Sequence, residues 1–149
     1  MKKAVLFSYL LVLAFSVQAQ RLNPVKWSYN AIKTATNQYD IVLTATIDAP
    51  WHMYSQFATK GPIPTTINFK ANPLVKLNGK TKEVGKLEKN YDKNFGAVIG
   101  TFAGKVDFIQ AVNLKVASKT TLSGTIEYMV CNDVRCLPPV TIPFEVAIQ

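Results

Sequence analysis

From Tyr39 to Ile47 the chain sets Tyr39, Ile41, Leu43, Ala45 and Ile47 on every second position, with polar or small residues between them. That period of two puts one side of a strand in a core and the other in water. The same alternation marks Val25, Trp27 and Tyr29 before it, and Val106, Phe108, Val112 and Leu114 after it. It returns at Leu122, Ile126, Tyr128 and Val130, and a last time at Ile142, Phe144, Val146 and Ile148. No stretch of ten or more residues keeps the 3.6-residue period of an amphipathic helix. The chain therefore reads as all-β, an immunoglobulin-like antiparallel β-sandwich of about seven to nine strands.

The less regular middle is read from its turn formers. Thr59 to Pro64, with prolines at 62 and 64, is a stiff loop leading to Thr66, Ile67 and Phe69. Asn78-Gly79 is a strong hairpin signal, with Val84 and Leu87 on the returning strand. Asn90 to Gly96 is polar except for Tyr91 and Phe95 and reads as a loop between strands, and Gly104 reads as a further turn.

The first residues carry a different pattern. Lys2 and Lys3 precede an apolar run from Ala4 to Val17, and Val17-Gln18-Ala19 fits a small-x-small cleavage site. Residues 1–19 are expected to be an export signal cut after Ala19, leaving 20–149 as one β-sandwich domain, not membrane-spanning after cleavage. No cysteine lies near the cut, which argues against a lipid anchor there. Without Lys2 and Lys3, 15 Lys and Arg face 9 Asp and Glu, a net charge of +6. The lysines from Lys70 to Lys93 are interspersed with Val, Leu, Glu83, Glu88 and Asp92, the look of solvated strand faces; nucleic acid is not an expected partner.

The chain has two cysteines, Cys131 and Cys136, with four residues between them. A bridge closing a ring of about six residues stabilises a fold by only about 2 kcal/mol in the loop-entropy model. Two readings stand: a small structural bridge, as in many exported proteins, or a pair that cycles between dithiol and disulfide through a mixed disulfide with another protein. Arg135 would favour a thiolate at Cys136 and Asp133 would oppose it. Pro138 and Pro139 stiffen the exit. Zinc would need about four ligands, and the chain's one histidine, His52, is too little to complete the set. No metal or other cofactor is expected.

The run Tyr128 to Pro139, a strand ending in Cys, a short polar insert, a second Cys, an apolar residue and Pro-Pro, resembles the amino-terminal periplasmic domain of the DsbD thiol:disulfide interchange family, also catalogued as the disulfide bond corrector domain. The resemblance spans the whole chain after the signal. Trp51-His52-Met53-Tyr54 is similar to the family's aromatic segment near the active site. The resemblance implies an immunoglobulin-like fold and a thiol:disulfide oxidoreductase that relays two electrons in the periplasm. They would come from a membrane-embedded reductant and pass to oxidised thioredoxin-fold proteins. It implies that Cys136 attacks the partner disulfide and Cys131 resolves the mixed disulfide. It further implies a cap loop over the pair, matched by Asn90 to Gly96, with Phe95 as the lid and Asp92 as an acidic neighbour, and with His52, Tyr54 and Arg135 around the site.

Two departures accompany the match. The insert between the cysteines is one residue shorter than in the best-known members. The membrane segment and the carboxy-terminal thioredoxin-like domain of full DsbD are not in this sequence, so a stand-alone form is expected, either fed by a separate reductant or acting as a reductant-independent adaptor. The competing expectation is a non-catalytic immunoglobulin-like binding module with a small structural disulfide.

Overall fold

A computed structural model describes residues 22–59 and 61–149. The expected export signal, residues 1–19, and Lys60 lie outside the described residues. Nine strands follow in chain order: β1 (Val25–Ala35), β2 (Gln38–Ile47), β3 (His52–Tyr54), β4 (Thr66–Phe69), β5 (Val75–Asp92), β6 (Ala97–Leu114), β7 (Thr120–Tyr128), β8 (Val130–Cys131) and β9 (Val140–Ile148). No helix occurs among the described residues. All pairings are antiparallel, as the alternation required.

Six strands form one sheet, in the order β1-β2-β6-β3-β8, with β5 on the other side of β6. The second sheet is β4-β7-β9. The alternating residues face each other across the gap: Ile41, Leu43, Ala45, Val106, Phe108, Leu122, Ile126 and Ile148 are all buried. An aromatic seam joins the layers, with Trp27 against Tyr128 at 5.5 Å between ring centroids and Tyr29 against Phe144 at 5.8 Å. Each fully buried large side chain of this kind is worth about 1.5–3 kcal/mol of transfer free energy.

The central strand is β6, which is 18 residues long and pairs along its whole length with β5. On its other side its carboxy-terminal part pairs with β2, and Thr101 and Phe102 pair with β3. Gly104, expected as a turn, instead lies inside β6 at φ 73°, where the β5 register jumps between Gly85 and Leu87. A positive φ and an extra residue make a bulge rather than a reversal, because both flanks still find the same neighbour.

The Asn78-Gly79 hairpin likewise does not form. Val75 to Asn78 pair with Ala111 to Leu114, and Lys82 to Gly85 pair with Val106 to Ile109, so β5 stays on one course and bulges between Asn78 and Lys82. The gap in the ladder is closed by a buried side chain: Gln110 Nε2 donates to Asn78 O at 3.1 Å, and its Oε1 accepts from Thr81 Oγ1 at 2.9 Å. A tertiary partner that satisfies the backbone thus overrides the local turn signal. The real hairpin comes later, where Asp92 pairs with Ala97 and Lys93 to Gly96 form the turn.

Candidate redox site

The site lies where the chain changes sheets. Tyr128 ends β7 paired with Val140 of β9, yet the residues between them leave the second sheet. Val130 and Cys131 instead pair with Met53 and His52 of β3 at the edge of the first sheet. The reversal at Asn132 to Arg135 is built by one asparagine. Its N–H donates to Arg135 O, and its Oδ1 accepts from the N–H groups of Val134 and Arg135, each at 2.9 Å. That use of Asn is the ordinary chemistry of a tight turn.

Cys136 thereby comes to lie directly opposite Cys131, and the two are joined by a disulfide with 4.0 Å between their Cα atoms. Leu137 N–H donates to Val130 O at 2.9 Å and closes the base of the turn. The two cysteines differ in environment: Cys131 is fully buried, while Cys136 is half-buried. The turn itself is in solvent, with Val134 85% exposed at its tip. Arg135 and Asp133 are both exposed, and among the described residues the Arg135 side chain makes no ion pair or hydrogen bond.

Cys131 packs in a small apolar cluster with Tyr54, Ile99 and Met129, against which Phe95, Ala58, Ala97 and Cys136 are partly buried. The turn after β5 supplies Phe95, whose ring meets Tyr54 edge-on at 5.8 Å. Tyr54 in turn meets His52 edge-on at 5.5 Å. The β3 segment and the β5–β6 turn, read separately from the sequence, therefore converge on the cysteines. The polar stretch is shorter than expected as a loop: Asn90 to Asp92 belong to β5, and only Lys93 to Gly96 are turn.

Asp92 anchors this turn from below. Although buried, its carboxylate accepts from Tyr54 Oη at 2.5 Å and from Asn94 N–H at 2.8 Å, and His52 Nε2 is 3.6 Å away. Burial pushes the Asp92 carboxyl up, but the Tyr54 hydroxyl, the Asn94 donors and the charge His52 can carry outweigh it, leaving it below its ordinary value. The Tyr54 hydroxyl is pushed far up, first by burial and then by its hydrogen bond to Asp92 and the charge there. Tyr54 consequently stays a neutral donor, and Asp92 an ionised acceptor, across the working pH range. An open groove lined by Trp51, His52, Asp92, Asn94, Asn132 and Asp133 flanks the turn.

Tyr54, Phe95, Cys131 and Cys136 share one cluster, His52 and Asp92 adjoin it through Tyr54, and Arg135 stands apart. Three residues at the site were not singled out by sequence reasoning. Asn132 shapes the cysteine turn, Asn94 Nδ2 donates to Asn132 O at 3.3 Å, and Gly61 lies against the Phe95 ring. Asparagine in a polar turn is too common to mark the first two, and only the Gly-Pro punctuation hinted at the third.

Residues 18–147 match the family model described as thiol:disulfide interchange protein DsbD, N-terminal. No curated protein matches the chain. Among solved structures, the Neisseria meningitidis DsbD N-terminal domain in the reduced form superposes with a TM-score of 0.58 at 17% identity, covering 87% of this chain and 91% of that one. The N-terminal periplasmic domain of ScsB from Proteus mirabilis superposes with a TM-score of 0.51 at 15% identity, covering 83% of this chain and 44% of that one. At such identities the two structures speak for the fold.

Proposed function

This chain belongs to the family of thiol:disulfide interchange protein DsbD, N-terminal, and from that premise we propose that it is a periplasmic thiol-disulfide exchange protein. In this reading it takes electrons from a membrane-embedded reductant and passes them to oxidised thioredoxin-fold proteins through the Cys131–Cys136 disulfide. The observation that carries the reading is the asymmetry of the pair: Cys131 is buried and Cys136 half-buried at the foot of an exposed turn. An attacking thiol must be reached by its partner, and a resolving thiol need only reach its neighbour.

In the reduced chain, the Cys136 thiolate attacks one sulfur of the partner disulfide. A mixed disulfide forms, and the partner's other sulfur leaves as a thiolate that takes up a proton. Cys131, having lost its own proton, then attacks Cys136 Sγ, closing the intramolecular disulfide and expelling the second partner thiolate, which is protonated in turn. Two electrons and two protons have passed to the partner, and the same number from the reductant restores the dithiol. Phe95 covers the pair between encounters, and Tyr54 with Asp92 holds the covering turn against β3.

A Cys131→Ala variant tests this directly. It retains the attacking sulfur but cannot resolve, so it should accumulate a mixed disulfide through Cys136 with an oxidised thioredoxin-fold protein, visible as a reductant-sensitive band. A matched Cys136→Ala variant should give none. Equal yields from the two variants, or no adduct from either, would leave the pair as a structural bridge in a binding module.

A further inference from the structure

Phe95 packs against the cluster that contains Cys131 and Cys136, and two groups that are not part of the sulfur chemistry adjoin its turn. On one side lies Gly61, in the link between β3 and β4, at φ 85°. A Cβ at Gly61 would overlap the ring, with 2.7 Å to Phe95 Cγ and 2.9 Å to its Cβ. The ring thus rests on bare backbone, in space that any other residue would fill. On the other side, Asn94 Nδ2 donates to the carbonyl of Asn132, tying the covering turn to the cysteine turn at 3.3 Å.

We infer that Gly61 and Asn94 are positioning residues that latch the Phe95 cover, so that they set how often Cys136 is open to attack. The inference rests on the covering role of Phe95 proposed above. Uncovering requires the ring to leave its seat on Gly61 and the Asn94 amide to release Asn132. Weakening either contact raises the open fraction without touching a sulfur. A partner entering the site must break both, and its own contacts have to replace them.

The reduced chain is alkylated with iodoacetamide and the rate at Cys136 is followed by mass spectrometry. Phe95→Ala should react about tenfold faster, equivalent to about 1.4 kcal/mol on closure. Gly61→Ala should approach the same rate, and Asn94→Ala, which loses the hydrogen bond to Asn132 O, should gain about threefold. Gly79→Ala is the control for left-handed backbone strain, since Gly79 has φ 66° and open space around its Cβ position; it should react like the parent. In the Gly61→Ala/Phe95→Ala double variant the rate should equal that of Phe95→Ala alone.

Unchanged rates in Gly61→Ala and Asn94→Ala, with Phe95→Ala accelerated, overturn the latch and leave the cover standing. An unchanged rate in Phe95→Ala removes the cover and the latch with it. A double variant faster than Phe95→Ala by the full Gly61→Ala factor means that Gly61 acts elsewhere, which also overturns the latch. Asn94 is exposed, so its variant decides the matter if Gly61→Ala does not fold.

Discussion

The apolar cluster between the two sheets and the one beneath the cysteine turn are built from the same kinds of residue and are made differently. The first is continuous, drawing fully buried side chains from long strands whose pairing fixes every position. The second gathers strand ends and turns, and among the described residues four of its eight members are only partly buried, against 7 of 28 in the first. One cluster stores the stability of the fold and the other can yield. A site that must open to another protein belongs in the region whose loss the fold can bear.

Substitution should separate the two by magnitude. Phe108→Ala, at a fully buried central position, should cost about 3–5 kcal/mol, read as a fall in the urea midpoint at unchanged slope. A loss under 1 kcal/mol would mean that the large cluster is not the source of stability. Replacing both cysteines by alanine should cost about 2 kcal/mol and abolish every exchange activity. A cost rivalling that of Phe108→Ala would turn the bridge into a staple and remove the contrast.

A smaller effect is expected from Tyr54→Phe, about 1 kcal/mol at neutral pH, because it removes a donor to Asp92. The sign in pH follows from the depressed Asp92 carboxyl. Its contribution is complete above the ordinary carboxyl value of 3.8 and is lost as the pH falls through the lower folded value. The gap between parent and variant should therefore narrow below pH 3.8, while the Asp92 titration followed by NMR should move upward in the variant. A gap that is constant with pH would show that Tyr54 acts by packing alone.

The alternation of Tyr39 to Ile47 and of Ile142 to Ile148 was enough to place β2 and β9, since each has one wet and one buried face. It also placed the sandwich that the family comparison bears out. The turn-former rule misjudged Asn78-Gly79 and Gly104, because a turn former does not reveal whether the flanking runs pair with each other or with a common third strand. Here both flanks of each glycine lie along the β5–β6 pair, and Gln110, far along the chain, supplies the missing hydrogen bonds at the first bulge. The cysteine pair was visible at once. The burial that distinguishes its two members was not, since it depends on Tyr54 and Ile99 arriving from two other segments, β3 and β6.

Tyr128 and Val140 are partners across the second sheet, with the whole cysteine turn looped out between them. Residues can thus be added to or taken from that excursion without shifting a single rung of β7 against β9. The spacing of the sulfurs is free to drift through mutation while the scaffold stays as it is. A change in the number of residues between Cys131 and Cys136 is the sort of change such an arrangement tolerates.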